Sequence, residues 1–137
     1  MRKVTIFTVV LLACFLVIGA GQVAAEDVEG HIITTDEVSN KVGFDFPAYG
    51  WPLSNDAGEI TGWHGVNIGI GYSRVMHFDP LEVEELNPFW EFGTVVGIIP
   101  YVGIGAEFPF QLDEEEYLSV SGGVGLYGVR LGLAYIW

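Results

Sequence analysis

The segment from Tyr127 to Trp137 alternates with a period of two. Tyr127, Val129, Leu131, Leu133, Tyr135 and Trp137 are apolar or aromatic, with Gly128, Arg130, Gly132 and Ala134 between them. A β-strand turns successive side chains to opposite faces, so this segment has one greasy face and one small face. Only Ile136 breaks the pattern. The length also suits a tilted strand crossing a bilayer, which takes about 9–11 residues.

The same signal recurs upstream. Val42, Phe44, Phe46 and Ala48 alternate with Lys41, Gly43 and Asp45. Val66, Ile68, Ile70 and Tyr72 alternate with Asn67, Gly69, Gly71 and Ser73, the cleanest internal strand, which extends back toward Gly62. From Val96 the even positions read Val, Ile, Pro, Val, Ile, Ala, Phe and Phe, with Gly97, Gly103, Gly105 and Glu107 among the odd ones. Pro100 cannot donate to a ladder, so two strands are expected here, Trp90–Ile98 and Pro100–Phe110. Leu118, Val120, Val124 and Leu126 occupy even positions, whereas the last segment uses odd ones. A change of phase needs a turn or bulge, which Gly122, Gly123 and Gly125 supply. The expected hairpin pairs Glu116–Gly122 with Tyr127–Trp137. Six prolines and 17 of the 19 glycines follow residue 25, a composition that helix interiors tolerate poorly.

The N-terminus reads as a secretory signal. Arg2 and Lys3 precede an uncharged apolar run from Val4 to Ala20, and Gln22-Val23-Ala24-Ala25 is suited to cleavage before Glu26. The alternatives are an uncleaved anchor, or acylation of Cys14, the one cysteine, after Leu11-Leu12-Ala13. Against acylation, the apolar run continues past Cys14. Cleavage after Ala25 leaves residues 26–137 as a single domain without a disulfide. Lys41, Arg74 and Arg130 then face all 18 acidic residues, a net charge of −15 with histidine neutral. Such a field repels nucleic acid and anionic lipid, and favours cations, basic partners or a salty medium.

The acids cluster between strands. Asp79–Glu85 and Asp113–Glu116 read as solvated loops, and Ser54–Glu59 as a turn-rich stretch. Clustered carboxylates invite calcium, but Asp113–Glu116 lacks the spaced ligands of an EF-hand. His31, His64 and His77 match no zinc spacing. Ser73, His77 and Asp79 have the side chains of a hydrolase triad. Ser73 and His77 share a strand face but sit about 13 Å apart along it, beyond hydrogen-bond reach. The glycines of 69–71 and 103–105 open no phosphate-cradling helix and suit close packing instead. No catalytic residue, cofactor or metal is expected.

The chain resembles small outer-membrane β-barrel proteins of double-membraned bacteria. The likeness rests on the signal, on Asn67-Ile68-Gly69-Ile70-Gly71-Tyr72 and Tyr101-Val102-Gly103-Ile104-Gly105-Ala106-Glu107-Phe108, and on Gly132-Leu133-Ala134-Tyr135-Ile136-Trp137. It covers Trp63 to Trp137 well and Glu26 to Gly62 poorly. It implies an all-β, antiparallel up-and-down barrel or barrel-like meander of about six to eight strands after a signal-peptide helix. It also implies a lipid bilayer and the outer-membrane assembly machinery as partners, the latter recognising the terminal aromatic. Tyr135, Trp137, Trp63, Trp90 and Tyr101, with Tyr72 and Tyr117, are candidate membrane-interface aromatics. Arg74 falls on an apolar face, near a strand end, where it can snorkel.

Strand count pulls the other way. About six strands are convincing, whereas single-chain membrane barrels begin at about eight. Either the weakly alternating segments Glu26–Asn40 and Pro47–Glu59 pair after all, or chains associate, or the protein is a soluble β-sandwich, secreted or periplasmic, that binds a partner. The leading expectation is a non-enzymatic outer-membrane barrel with a structural, adhesive or interaction role. A protein partner or a second copy of the chain stays open.

Overall fold

The computed structural model describes residues 30–67 and 71–137; the expected signal segment lies outside them. Eight antiparallel strands close into one barrel in chain order. They are β1 (Lys41–Phe44), β2 (Tyr49–Ser54), β3 (Ile60–Asn67), β4 (Gly71–His77), β5 (Asn87–Val95), β6 (Ile99–Asp113), β7 (Glu116–Gly125) and β8 (Gly128–Ile136). Pairing of Lys41 with Ile136 and of Phe44 with Leu133 shuts the barrel between β1 and β8. There is one sheet wrapped on itself, not two stacked sheets.

The two segments with weak alternation resolve differently. Residues 49–54 do form a strand, β2. Residues 30–40 form no strand, only the isolated bridges Ile32–Glu82 and Thr34–Glu59. That segment folds under the barrel and stoppers it. Ile33 and Val38 join Ile60, Trp63, Val75, Leu81, Val83, Phe89, Tyr117 and Ile136 in one buried apolar cluster. Ile136 breaks the terminal alternation because its side chain is part of this stopper. Loop 79–85, expected to be wholly solvated, contributes Leu81 and Val83 to it, held by Leu81 N–H donating to the Ile60 carbonyl at 2.7 Å.

Three strand boundaries depart from expectation, two because alternation runs straight on from one strand into the next and one because the turn itself inverts the phase. The segment Val66 to Tyr72, expected as one strand, spans the β3–β4 hairpin, with Asn67 opposite Gly71. The alternation of 42–48 likewise crosses a turn after Phe44. Gly122, Gly123 and Gly125 lie inside β7, and the turn is Leu126-Tyr127, flanked by the Gly125–Gly128 pair. A two-residue turn inverts the phase by itself, so no bulge is needed. The β5–β6 turn places Val96 at φ 53° and Gly97 at φ 77°. Glycine meets that left-handed requirement freely, whereas a β-branched residue does so under strain.

The faces are partitioned sharply. On β8, Val129, Leu131 and Leu133 face out and are exposed, while Gly132, Ala134 and Ile136 face in and are buried. On β5, Trp90 and Phe92 face out, and Phe89 and Glu91 face in. Outward apolar side chains continue round the barrel through Phe44, Trp51, Val66, Tyr72, Val102, Ile104 and Val124. Many inward positions are glycine, because the narrow, strongly coiled wall leaves no room for more. A Cβ on Gly105 would meet the ring of Phe89 at 2.7 Å, and one on Gly132 would collide with Asp45 and Ser121.

Candidate functional site

Above the apolar stopper, the lumen holds a network of ionised side chains. Lys41, on the first residue of β1, is 1% exposed. Its Nζ lies 2.7 Å from Asp45 Oδ2 and 2.8 Å from Glu107 Oε1. Glu107 reaches in from the middle of β6, and its Oε2 is 2.8 Å from His77 Nε2 at the end of β4. Ser119 on β7 donates to Glu107 Oε1 at 2.5 Å. Asp45 Oδ1 accepts from Ser121 at 2.9 Å and also from Arg130 Nη1. Arg130 on β8 turns the rest of its fork onto Glu91 of β5, with Nη2 donating to Oε2 at 2.6 Å and Nε to Oε1 at 3.1 Å. Its guanidinium lies 5.4 Å from the Phe46 ring centroid and 5.5 Å from that of Phe89.

Stripped of water, each of these charges is costly alone and tolerable only with its partner in place. The planar Arg130 fork fits the Glu91 carboxylate in a bidentate pair, the strong geometry for such contacts. The network joins strands remote in sequence: β1, β4, β5, β6, β7 and β8 all supply a member. It therefore ties the barrel across its own diameter. Counting histidine as uncharged, Lys41 and Arg130 face Asp45, Glu91 and Glu107, a formal charge of −1. Toward the β3–β4 hairpin a second, neutral network begins. Ser73 donates to Asn67 Oδ1 at 2.5 Å, and its hydroxyl is 2.5 Å from that of Tyr101.

The candidate interface aromatics separate into two groups. Trp90 is outward and stacks on Phe92 at 5.3 Å, and Tyr135 stacks on Trp137 at 5.5 Å. Tyr72 is also outward and exposed. Trp63 and Tyr117 are instead fully buried in the stopper, and Tyr101 faces the lumen at 8% exposed. The three share a cause: each occupies the inward phase of its strand, Trp63 and Tyr117 among the apolar side chains of the stopper and Tyr101 beside Gly93. Arg74 sits mid-strand rather than near an end, opposite His64 on β3 and Phe92 on β5. Away from the strand ends it is the one charged outward side chain among the described residues.

Ser73 and His77 do share the lumenal face, but each is engaged elsewhere, Ser73 with Tyr101 and Asn67, His77 with Glu107. Asp79 lies past the end of β4. Among the described residues, no group of three or more His, Cys, Asp or Glu side chains is placed to hold a metal ion. Sequence patterning does not bring the lumenal charges together as a set. Their signal was present: Lys41, Asp45, Glu107 and Arg130 all sit on the small-residue phase of an alternating strand, where a charge has no aqueous surroundings.

Charge also divides the barrel along its axis. Of the 15 acidic residues described, three point into the lumen. The other twelve lie on the segments that carry the chain termini: 36–37, 56–59, 79–85 and 113–116. Among the described residues, the opposite end carries the turns 45–48, 96–98 and 126–127. Its residues are apolar apart from Asp45, which points inward. Comparison of the chain with family models, curated proteins and solved structures finds no match.

Proposed function

We propose that this protein is a small, non-enzymatic barrel of an outer membrane, with a structural, adhesive or interaction role. The observation that supports it is the inversion of inside and outside. A water-soluble barrel fills its lumen with apolar side chains and turns polar ones outward. Here the mid-lumen is ionic and the outer wall is Val, Leu, Ile, Phe, Trp and Tyr. Each such side chain favours an apolar medium by roughly 1.5–3 kcal/mol. A continuous belt of them greatly exceeds the patches that soluble monomers expose. Eight strands is also the smallest number typical of single-chain membrane barrels, and closure leaves the wall without a free edge along most of its length.

The lumen does not read as a channel. The stopper closes one end and the ion pairs bridge the middle, so the role belongs to the surfaces rather than to transport. Acidic loops on one side of the bilayer supply a charged, solvated face for contact with cations or a basic partner. Purified protein beginning at Glu26 is expected to need detergent, to fractionate with outer membranes, and to migrate faster on a gel before boiling than after. Recovery as a detergent-free soluble monomer overturns the reading. Deletion of Trp137 is expected to abolish membrane assembly in cells, with a soluble domain tolerating the same loss.

A further inference from the structure

The wall of the barrel is notched on one side of the hairpin end. β7 pairs with β8 from Gly128 through Ile136, but β1 pairs with it only from Leu133. Residues 128–132 therefore have a paired strand on one side only, over roughly 16 Å at 3.3 Å per residue. Beside this notch lies a cavity of about 610 Å³, a size typical of small-molecule sites. Its walls are apolar, from Val95, Ile99, Leu126 and Val129. Its floor is where the lumenal network surfaces: Glu91 and Arg130, beside Phe46 and Tyr101, whose rings lie 5.5 Å apart.

We propose that this cavity binds a single alkyl chain whose head carries no negative charge. The walls select the chain, since they offer an apolar ligand only dispersion and burial. The floor selects the head. Arg130 is the one cation there, and it already faces two carboxylates, Asp45 and Glu91. An arriving carboxylate or phosphate finds Arg130 already matched and meets the Glu91 carboxylate in the same lining. An uncharged hydroxyl head, or a cationic one, meets no such repulsion. The chain has two sources, a bilayer lipid reaching sideways through the notch or a free amphiphile entering at the mouth. Sideways entry rests on the membrane reading above, but the cavity itself does not.

The test places the protein in lipid nanodiscs and follows its backbone amide signals by NMR. Monododecanoyl glycerol, dodecyltrimethylammonium and dodecanoate are titrated separately. The first two are expected to shift signals of Phe46, Tyr101, Leu126 and Arg130 saturably, at concentrations about tenfold below any effect of dodecanoate. Ile99→Trp, which fills the cavity from an exposed rim position, is expected to abolish these shifts. Glu91→Gln leaves Arg130 with one carboxylate and is expected to bring dodecanoate to within about threefold of the neutral ligand. Nanodiscs with a spin label near the acyl terminus separate the sources. Broadening of the same signals without added amphiphile assigns a lipid chain, and shifts only on titration assign a free one. Dodecanoate binding as tightly as the others to the unaltered protein overturns the proposal, as do shifts that persist in Ile99→Trp or no saturable shift at all. If the protein enters nanodiscs but the cavity stays empty, only this inference falls. If it does not enter, the membrane reading falls, and the same titrations on the soluble protein decide the cavity.

Discussion

The two ends of this barrel are built on opposite principles. The terminal end is stoppered by ten apolar side chains, four from the segments 30–40 and 79–85 and six from the strands they pack against, and is ringed by twelve acids. The hairpin end has tight turns, apolar tips such as Ile98 at 84% exposed, and an open cavity. The first end is where the fold is held; the second is where it presents unspent apolar surface. The lesson is that a narrow barrel need not be uniform along its axis. Its buried apolar contacts can be concentrated in one half and its exposed apolar surface in the other.

Removing the cation that joins the stopper to the ionic layer is expected to have the largest effect. Lys41→Met leaves Asp45 and Glu107 buried without their shared partner and is expected to cost about 3–5 kcal/mol. Urea titration of the refolded protein measures this, and a loss under about 1 kcal/mol would show that the network is not coupled to folding. Next comes the stopper itself. Leu81, fully buried on a loop rather than a strand, is expected to cost about 2–5 kcal/mol when cut to alanine. A negligible cost would mean that loop 79–85 does not seal the lumen.

Gly132→Ala tests the crowding of the lumen, since its new methyl must push aside Asp45 and Ser121. About 1–3 kcal/mol of destabilisation is expected, as for other overpacked interiors. Smallest of all is the effect at the opposite end. Ile98→Asn is expected to change folding stability by no more than about 0.5 kcal/mol, because the side chain touches little within the fold. Its effect belongs instead to partitioning into vesicles, which is expected to weaken. If Ile98→Asn destabilises the fold as much as Leu81→Ala does, the contrast between the ends is wrong.

Much of the architecture was legible along the chain. The β7–β8 hairpin and the separate small and greasy faces of β8 follow from period-two alternation, whereas the division expected at Pro100 falls at 96–98, with Pro100 inside β6. The places where that reasoning strayed are turns. Val66 and Tyr72 fall on one uninterrupted alternating phase, so nothing in the pattern signals that they belong to two antiparallel strands, β3 and β4, rather than to one. The candidate site was legible in its parts and not in its assembly. Glu107 and Lys41 each stand on a small-residue phase, but they are 66 positions apart, and only closure brings them within 2.8 Å.

The sequence by itself determined that the chain is β, that each strand has a greasy and a small face, and that the acids fall between strands. Those properties are local, since side-chain alternation is a consequence of backbone geometry within one strand. Which face turns inward was a tertiary decision. Closing eight strands into a narrow ring leaves room inside for a few rings such as Trp63 and Phe89 but not for a bulky residue at every position, so the glycine-rich phase goes inside and the uniformly bulky phase outside. The same closure converts scattered lysine, arginine and carboxylates into mutual partners, because in a confined lumen a charge has only other charges and hydroxyls to meet. It also draws residues 30–40, which carry no strand signal, into the one apolar opening that strand geometry leaves unfilled.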